Sequence, residues 1–253
     1  MLEELMSQAF WIGLAKIIGV NVILSGDNAV VIALAARSLP ASQQKKAVFW
    51  GAGAAVILRI ILTIFAAALL TLPWLKIIGS LLLFWIGVKL LIPEEGDDDI
   101  KASDQLFSAI KTILIADLVM SLDNVIAVAA AAGGSYLLLI LGLAISIPLV
   151  IFGATLLIKL MERFPVIITL GAGLIGWVAG EMIVADHALS EWLTTFDFEF
   201  RGDKPYIDGY SLELMAAAVG FMLVVAVGKW LGKRKVDSGE PADAPKRTPA
   251  RNS

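Results

Sequence analysis

Asn21-Val22-Ile23-Leu24-Ser25-Gly26-Asp27-Asn28 interrupts an apolar stretch near the start of the chain. Asp117-Leu118-Val119-Met120-Ser121-Leu122-Asp123-Asn124 interrupts a second one at a constant offset of 96 residues. The match runs on through Ala33, Ala35 and Ala36 onto Ala129, Ala131 and Ala132. A carboxylate at bilayer depth costs about 2.5–3.5 kcal/mol even on the gentler insertion scales, so it needs a reason to be there. Two matched inserts of this kind point to a two-fold site that handles a cation within a membrane.

Composition supports the membrane setting. Hydrophobic residues make up 58% of the 253-residue chain, charged residues 17%, and mean hydropathy is +0.84. Soluble domains are nearer half apolar and a quarter charged, so a polytopic membrane protein is expected. The net charge of −3 says little, because its sign changes from loop to loop. The chain has no cysteine, which excludes disulfides, thiolate metal sites and cysteine nucleophiles. A single histidine, His187, leaves no clustered zinc site. Neither a P-loop nor an HExxH motif is present, and no Ser-His or Asp-Asp catalytic pair stands out. The expectation is a protein that is not an enzyme and has no nucleic-acid partner. Glu3 and Glu4, without a basic n-region, do not read as a cleaved signal peptide.

A span needs roughly 20 apolar residues to cross a ~30 Å hydrocarbon core. That measure gives seven helices, at about 10–36, 47–72, 75–92, 107–132, 136–160, 165–184 and 211–231. Arg37, Lys45, Lys46, Lys101, Lys111, Lys159, Arg163, Lys229, Lys233, Arg234 and Lys235 then fall on one side. The other side has Lys76, Arg201 and Lys204 in its connections. Basic residues mark the cytoplasmic side, which gives an outer amino terminus and an inner carboxyl terminus in a bacterial inner membrane. Pro73, Gly79 and Trp85 match Pro165, Gly171 and Trp177 at an offset of 92, so helices 1–3 correspond to helices 4–6. Three is odd, so the second copy enters from the opposite side. This all-α, 3+3 inverted-topology repeat plus one extra helix is an arrangement common in secondary transporters.

The domain organisation follows: residues 1–92 form the first repeat and 93–106 an acidic cytoplasmic linker. Residues 107–184 form the second repeat, 185–210 an extracytoplasmic loop, 211–231 the seventh helix and 232–253 a disordered tail. Glu94, Glu95, Asp97, Asp98 and Asp99 in the linker read as a solvated charge block or a weak cation-collecting funnel. Trp192, Phe196 and Phe198 in the loop are expected to rest on the membrane interface.

On a helix, Asn21, Ser25 and Asn28 share a face, as do Asp117, Ser121 and Asn124, while Asp27 and Asp123 point about a quarter-turn away. Gly26 is placed to relax the first helix and free backbone carbonyls; Leu122 makes a break in the second less certain. Carboxylate, carboxamide and hydroxyl oxygens suit Mg²⁺, Ca²⁺ or Mn²⁺. Asp27 and Asp123 are expected to share one cation. Asn21 in the first half corresponds to Asp117 in the second, so only one of the matched positions can titrate. Asp117 therefore either exchanges protons against metal or pairs permanently with Arg59. Arg59, mid-span, reads as a counter-charge needing a carboxylate partner, and Ser25 and Ser121 as secondary ligands or helix-joining hydroxyls. Lys89 is expected to snorkel. Glu181 is an exit ligand or an interfacial acid. Pro148, Gly142, Gly153, Gly171, Gly173 and Gly176 are kink or close-packing positions.

The two inserts within seven spans resemble the TerC family of integral membrane proteins, over most of residues 10–231, and in particular its short bacterial members. The resemblance implies Mn²⁺ export, or Mn²⁺ supply to exported enzymes, with a historical link to tellurium resistance. It implies a metal site including Asn21, Asp27, Asn28, Asp117, Asp123 and Asn124, with Mn²⁺ as the transported or bound ion. The acidic linker and the basic tail are not part of the pattern. The competing reading is a metal-binding membrane scaffold in a metal or tellurium stress response. The expected partners are a divalent cation and the lipid bilayer; a homodimer is left open.

Overall fold

The first insert breaks its helix. In the computed structural model, α1 (Gln8–Leu24) and α2 (Gly26–Ala36) meet at Ser25 with a bend of 51°. The structure describes residues 8–65, 72–92, 102–195, 199–201, 204–207 and 209–238. The remaining helices among these residues are α3 (Ala41–Ile64), α4 (Leu75–Leu91), α5 (Ala102–Ala132), α6 (Tyr136–Arg163), α7 (Val166–Val184), α8 (His187–Leu193) and α9 (Leu212–Ser238). Five of them are long and apolar enough to cross a membrane, and the α1–α2 pair adds a sixth, bent candidate. At 17 residues α4 is the shortest of the helices read as spans, apart from the two segments of the bent one. The architecture is that of a helical polytopic membrane protein.

Local sequence sets the helix ends. Pro40 stands immediately before α3, where its missing N–H costs nothing. Gly133 and Gly134 both take positive φ in the short turn between α5 and α6, and Ser135 caps α6 by accepting from Leu138 N–H. Pro148 lies inside α6, and Ser146 Oγ–H donates to the Gly142 carbonyl one turn earlier.

Alanine-rich α2 is the centre of the packing. Ala29, Ala33, Ala35 and Ala36 are buried against α3, α5, α6 and α7, where small side chains let helices approach closely. Helix α3 lies along α5, α4 along α7, and α9 along α7. In the last contact Gly176 and Gly180 face Gly220 and Ala216, with a Cβ on Gly220 falling 2.1 Å from the Gly176 carbonyl oxygen. Large apolar side chains such as Trp11, Phe49, Phe107, Phe152 and Trp230 point outward. A shell of that kind suits lipid rather than water.

Two sequence expectations change. Residues 232–238, expected to start a disordered tail, continue α9. Lys233, Arg234 and Lys235 are good helix formers suited to a helix carboxyl end, and the Arg234 guanidinium sits 4.0 Å over the Trp230 ring. Helix α5 starts at Ala102, inside the expected linker. The loop over 185–210 holds α8 and most of a three-stranded antiparallel sheet, β1 (Glu199–Arg201), β2 (Lys204–Ile207) and β3 (Tyr210–Ser211). Trp192 is exposed. Phe196, Phe198, the acidic block at 94–99 and residues 239–253 lie outside the described residues.

Candidate functional site

The two duplicated faces meet on one guanidinium. Arg59 of α3 is buried at mid-bundle and reaches both. Toward the first face, its Nη1 donates to Asn21 Oδ1 at 2.6 Å and to Ser25 Oγ at 3.1 Å. Toward the second, Nη2 donates to Asp117 Oδ1 at 2.6 Å and Nε to Ser121 Oγ at 3.0 Å. Each serine hydroxyl passes the bonding on to its own i−4 partner: Ser25 to Asn21 at 3.4 Å and Ser121 to Asp117 Oδ2 at 3.2 Å. The i, i+4 spacing places each pair on one helix face, and the planar fork of arginine addresses both at once. Arg59 and Asp117 side chains are 3% and 7% exposed, so this is a buried, hydrogen-bonded ion pair. Of the two roles open to Asp117, the geometry is that of the paired one.

The break at Ser25 supplies a second feature. Asn28 N–H, which a continuous helix would bond to the Leu24 carbonyl, bonds Asp27 Oδ1 instead at 2.8 Å. The Leu24 carbonyl receives the Asn124 side-chain amide of α5 at 3.3 Å, so the freed carbonyl ties α1 to α5. Helix α5 runs unbroken through its own insert. Asn28 is 3% exposed, yet neither its Nδ2 nor its Oδ1 has a partner. Together with Asp117, Val31, Ile32 and Ile113 it lines a crevice too narrow to admit a water-sized sphere. Asn21 Nδ2 is likewise buried and unpartnered. Buried polar atoms left unpaired are uncommon, and each asks for an explanation such as an ion.

Asp27 and Asp123 stand in different settings. Asp27 is half-buried beside Asn28. Asp123 lies within α5, nine residues before its end, is partly exposed, and stands 2.6 Å from Lys76 Nζ. Among the described residues no three carboxylate or imidazole side chains lie close enough to hold a metal ion. Any cation held in this region must therefore take neutral amide, hydroxyl or carbonyl oxygens alongside carboxylate. Glu181 accepts from Trp177 Nε1 at 2.8 Å, one helical turn away, and Lys89 lies 5.4 Å over the Trp85 ring at the same spacing.

Two residues important to this geometry escaped sequence reasoning. Lys76 was assigned to a connection, but it lies in the first turn of α4 and is the partner of Asp123. Asp186 is buried and accepts backbone N–H groups from Trp74, Lys76 and Ile77, about 110 residues earlier, as well as from Ala188. An Asp just before the short helix α8 is a visible capping signal. Its reach to α4 is not visible in sequence.

The family model "Integral membrane protein TerC family" matches residues 6–236. Similar proteins include two from Bacillus subtilis (strain 168). "Uncharacterized membrane protein YjbE" is 45% identical over 185 residues, covering 73% of this chain and 85% of the relative. "Uncharacterized membrane protein YkoY" is 28% identical over 189 residues, covering 66% and 58%. No solved structure matches.

Proposed function

This chain belongs to the TerC family of integral membrane proteins, and we propose that it exports a hard divalent cation, Mn²⁺ in preference, across a bacterial inner membrane. The observation that carries this reading is Asn28: a buried carboxamide with both side-chain polar atoms unpartnered, lining a narrow crevice with Asp117. A carboxamide oxygen next to a carboxylate is a hard-cation donor set. Thiolate is absent from the chain, which argues against softer ions.

In this reading seven helices cross the membrane with the amino terminus outside, and helices 1–3 and 4–6 form an inverted repeat. The i, i+4 pairs Trp85–Lys89 and Trp177–Glu181, related by the same offset of 92 residues, support the repeat. The cation enters from the end carrying Arg37 and Lys45, meets Asp27 and Asn28, and reaches Asp117. Arg59 holds the charge of Asp117 when no cation is there. Passage requires the guanidinium to give up part of its hold, and the bend at Ser25 is the place where the first half can move. The chain has no nucleotide-binding motif, so the driving force is an ion gradient, of protons among others, or the membrane potential.

The test is Mn²⁺ flux in proteoliposomes containing the full chain. Wild type should move Mn²⁺, prefer it to Mg²⁺ at equal concentration, and lose flux in Asp27→Asn. Tight Mn²⁺ binding without flux would instead identify a metal-binding scaffold. Normal flux in Asp27→Asn, Asn28→Ala and Asp117→Asn alike would remove the proposed path.

A further inference from the structure

Helices α4 and α5 pack tightly at Gly79 and Val119, where a Cβ on Gly79 would fall 2.7 Å from Val119 Cγ1. Lys76 lies three residues before Gly79 on α4, and Asp123 four residues after Val119 on α5. The tight contact therefore delivers the ammonium of one helix to the carboxylate of the other, a turn beyond it. The buried carboxylate of Asp186 fixes the backbone beneath Lys76 through N–H groups of Trp74, Lys76 and Ile77. Trp74 holds a positive φ of 68° to present its own N–H. This is a rigid mount for a flexible side chain.

The pair so formed is partly open, with side chains 24% and 43% exposed, unlike the buried Arg59–Asp117 pair. A pair left this open is not locked in place by packing as the buried one is, and its carboxylate can exchange partners. A bare carboxylate at the mouth of a cation path would hold a departing divalent ion. A lysine tethered beside it competes at an effective concentration on the order of millimolar. Asp27 differs: its carboxylate takes the Asn28 backbone N–H.

We propose that Lys76 determines release of the exported cation, its ammonium replacing the ion on Asp123 at the outer end of the path. The inference rests on the export reading above. It makes Asp123 a transient outer contact emptied by an internal competitor.

The experiment uses the full chain in proteoliposomes, with Mn²⁺ as the probe added separately to each side. In Lys76→Gln, Mn²⁺ on the outer side should inhibit export at about tenfold lower concentration than in wild type. The maximal export rate should fall, with half-saturation on the inner side unchanged. Lys76→Arg should restore wild-type behaviour, and adding Asp123→Asn to Lys76→Gln should abolish the gain in outer inhibition. A purely structural role for Lys76 would not tighten inhibition from one side. Lys76→Met takes the place of Lys76→Gln if the latter is not monodisperse in detergent. Unchanged outer inhibition in a folded, transporting Lys76 variant overturns the inference and leaves the export reading standing. Absence of Mn²⁺ flux in wild type overturns both.

Discussion

Arg59 and Asp117 meet at 2.6 Å in the middle of the helix bundle, and the same guanidinium contacts Asn21 at 2.6 Å on its other side. One cationic side chain therefore joins the two polar inserts. Burying an ion pair costs much of what its attraction gains, but removing one partner leaves an uncompensated charge. The layer is thus more dangerous to break by halves than to remove entirely.

Arg59→Leu is expected to destabilise the protein by about 3–5 kcal/mol, because Asp117 is left buried and unpaired. Arg59→Leu combined with Asp117→Leu should recover a large part of that loss. Thermal unfolding in detergent, followed by tryptophan fluorescence, measures both. If the double variant is no more stable than the single, the two residues are not coupled as the geometry requires.

Asn28 separates a ligand from a structural amide. Its polar atoms make no hydrogen bond that a substitution could break, so Asn28→Val should hold or raise the melting temperature. Mn²⁺ flux should drop at least tenfold in the same variant, about 1.4 kcal/mol of lost stabilisation along the path. A variant that is stable and fully active would show that the amide is not on the path.

Asp186→Ala removes the acceptor for four backbone N–H groups at once. Leaving buried donors unmatched costs about 1–3 kcal/mol. Amide hydrogen exchange should accelerate at residues 74–77 well before the α5 core is affected. Unaltered protection there would mean that the carboxylate does not hold the start of α4.

Gly220 and Gly53 make a matched pair of tests. Gly220→Ala drives a methyl group into the Gly176 carbonyl and should cost about 1–3 kcal/mol, since helix backbones rather than flexible side chains must yield. Gly53 in α3 has open space where its Cβ would go, so Gly53→Ala should be neutral or stabilise by up to about 1 kcal/mol. Equal melting temperatures for the two variants would contradict the α7–α9 packing.

Much of the central layer could be read from spacing alone. Asn21 and Ser25, like Asp117 and Ser121, are four residues apart, and helical periodicity puts each pair on one face. A mid-span arginine needs a carboxylate, and the apolar spans offer few. The relaxation at Gly26 follows from a residue without a side chain next to a serine. What spacing could not supply was the pairing of elements far apart in sequence. Lys76 finds Asp123 because Gly79 admits Val119, and Asp186 finds the start of α4 because α7 packs along α4. Neither depends on a local pattern. The extension of α9 was missed for the opposite reason: charge and glycine near residue 232 looked like a terminus, although Lys and Arg propagate helices well.

The span of 58 residues between Arg59 and Asp117 also sets a schedule for biosynthesis. At roughly 5–20 residues per second, α3 is made roughly 3–12 s before its carboxylate partner exists. During that interval an arginine must be accommodated in a segment entering the bilayer. Asn21 and Ser25 are already present on the preceding helix and contact Nη1 in the finished structure. Of the side chains that hold the guanidinium, these two are the ones made before it, so the order of synthesis provides neutral acceptors first and the carboxylate later.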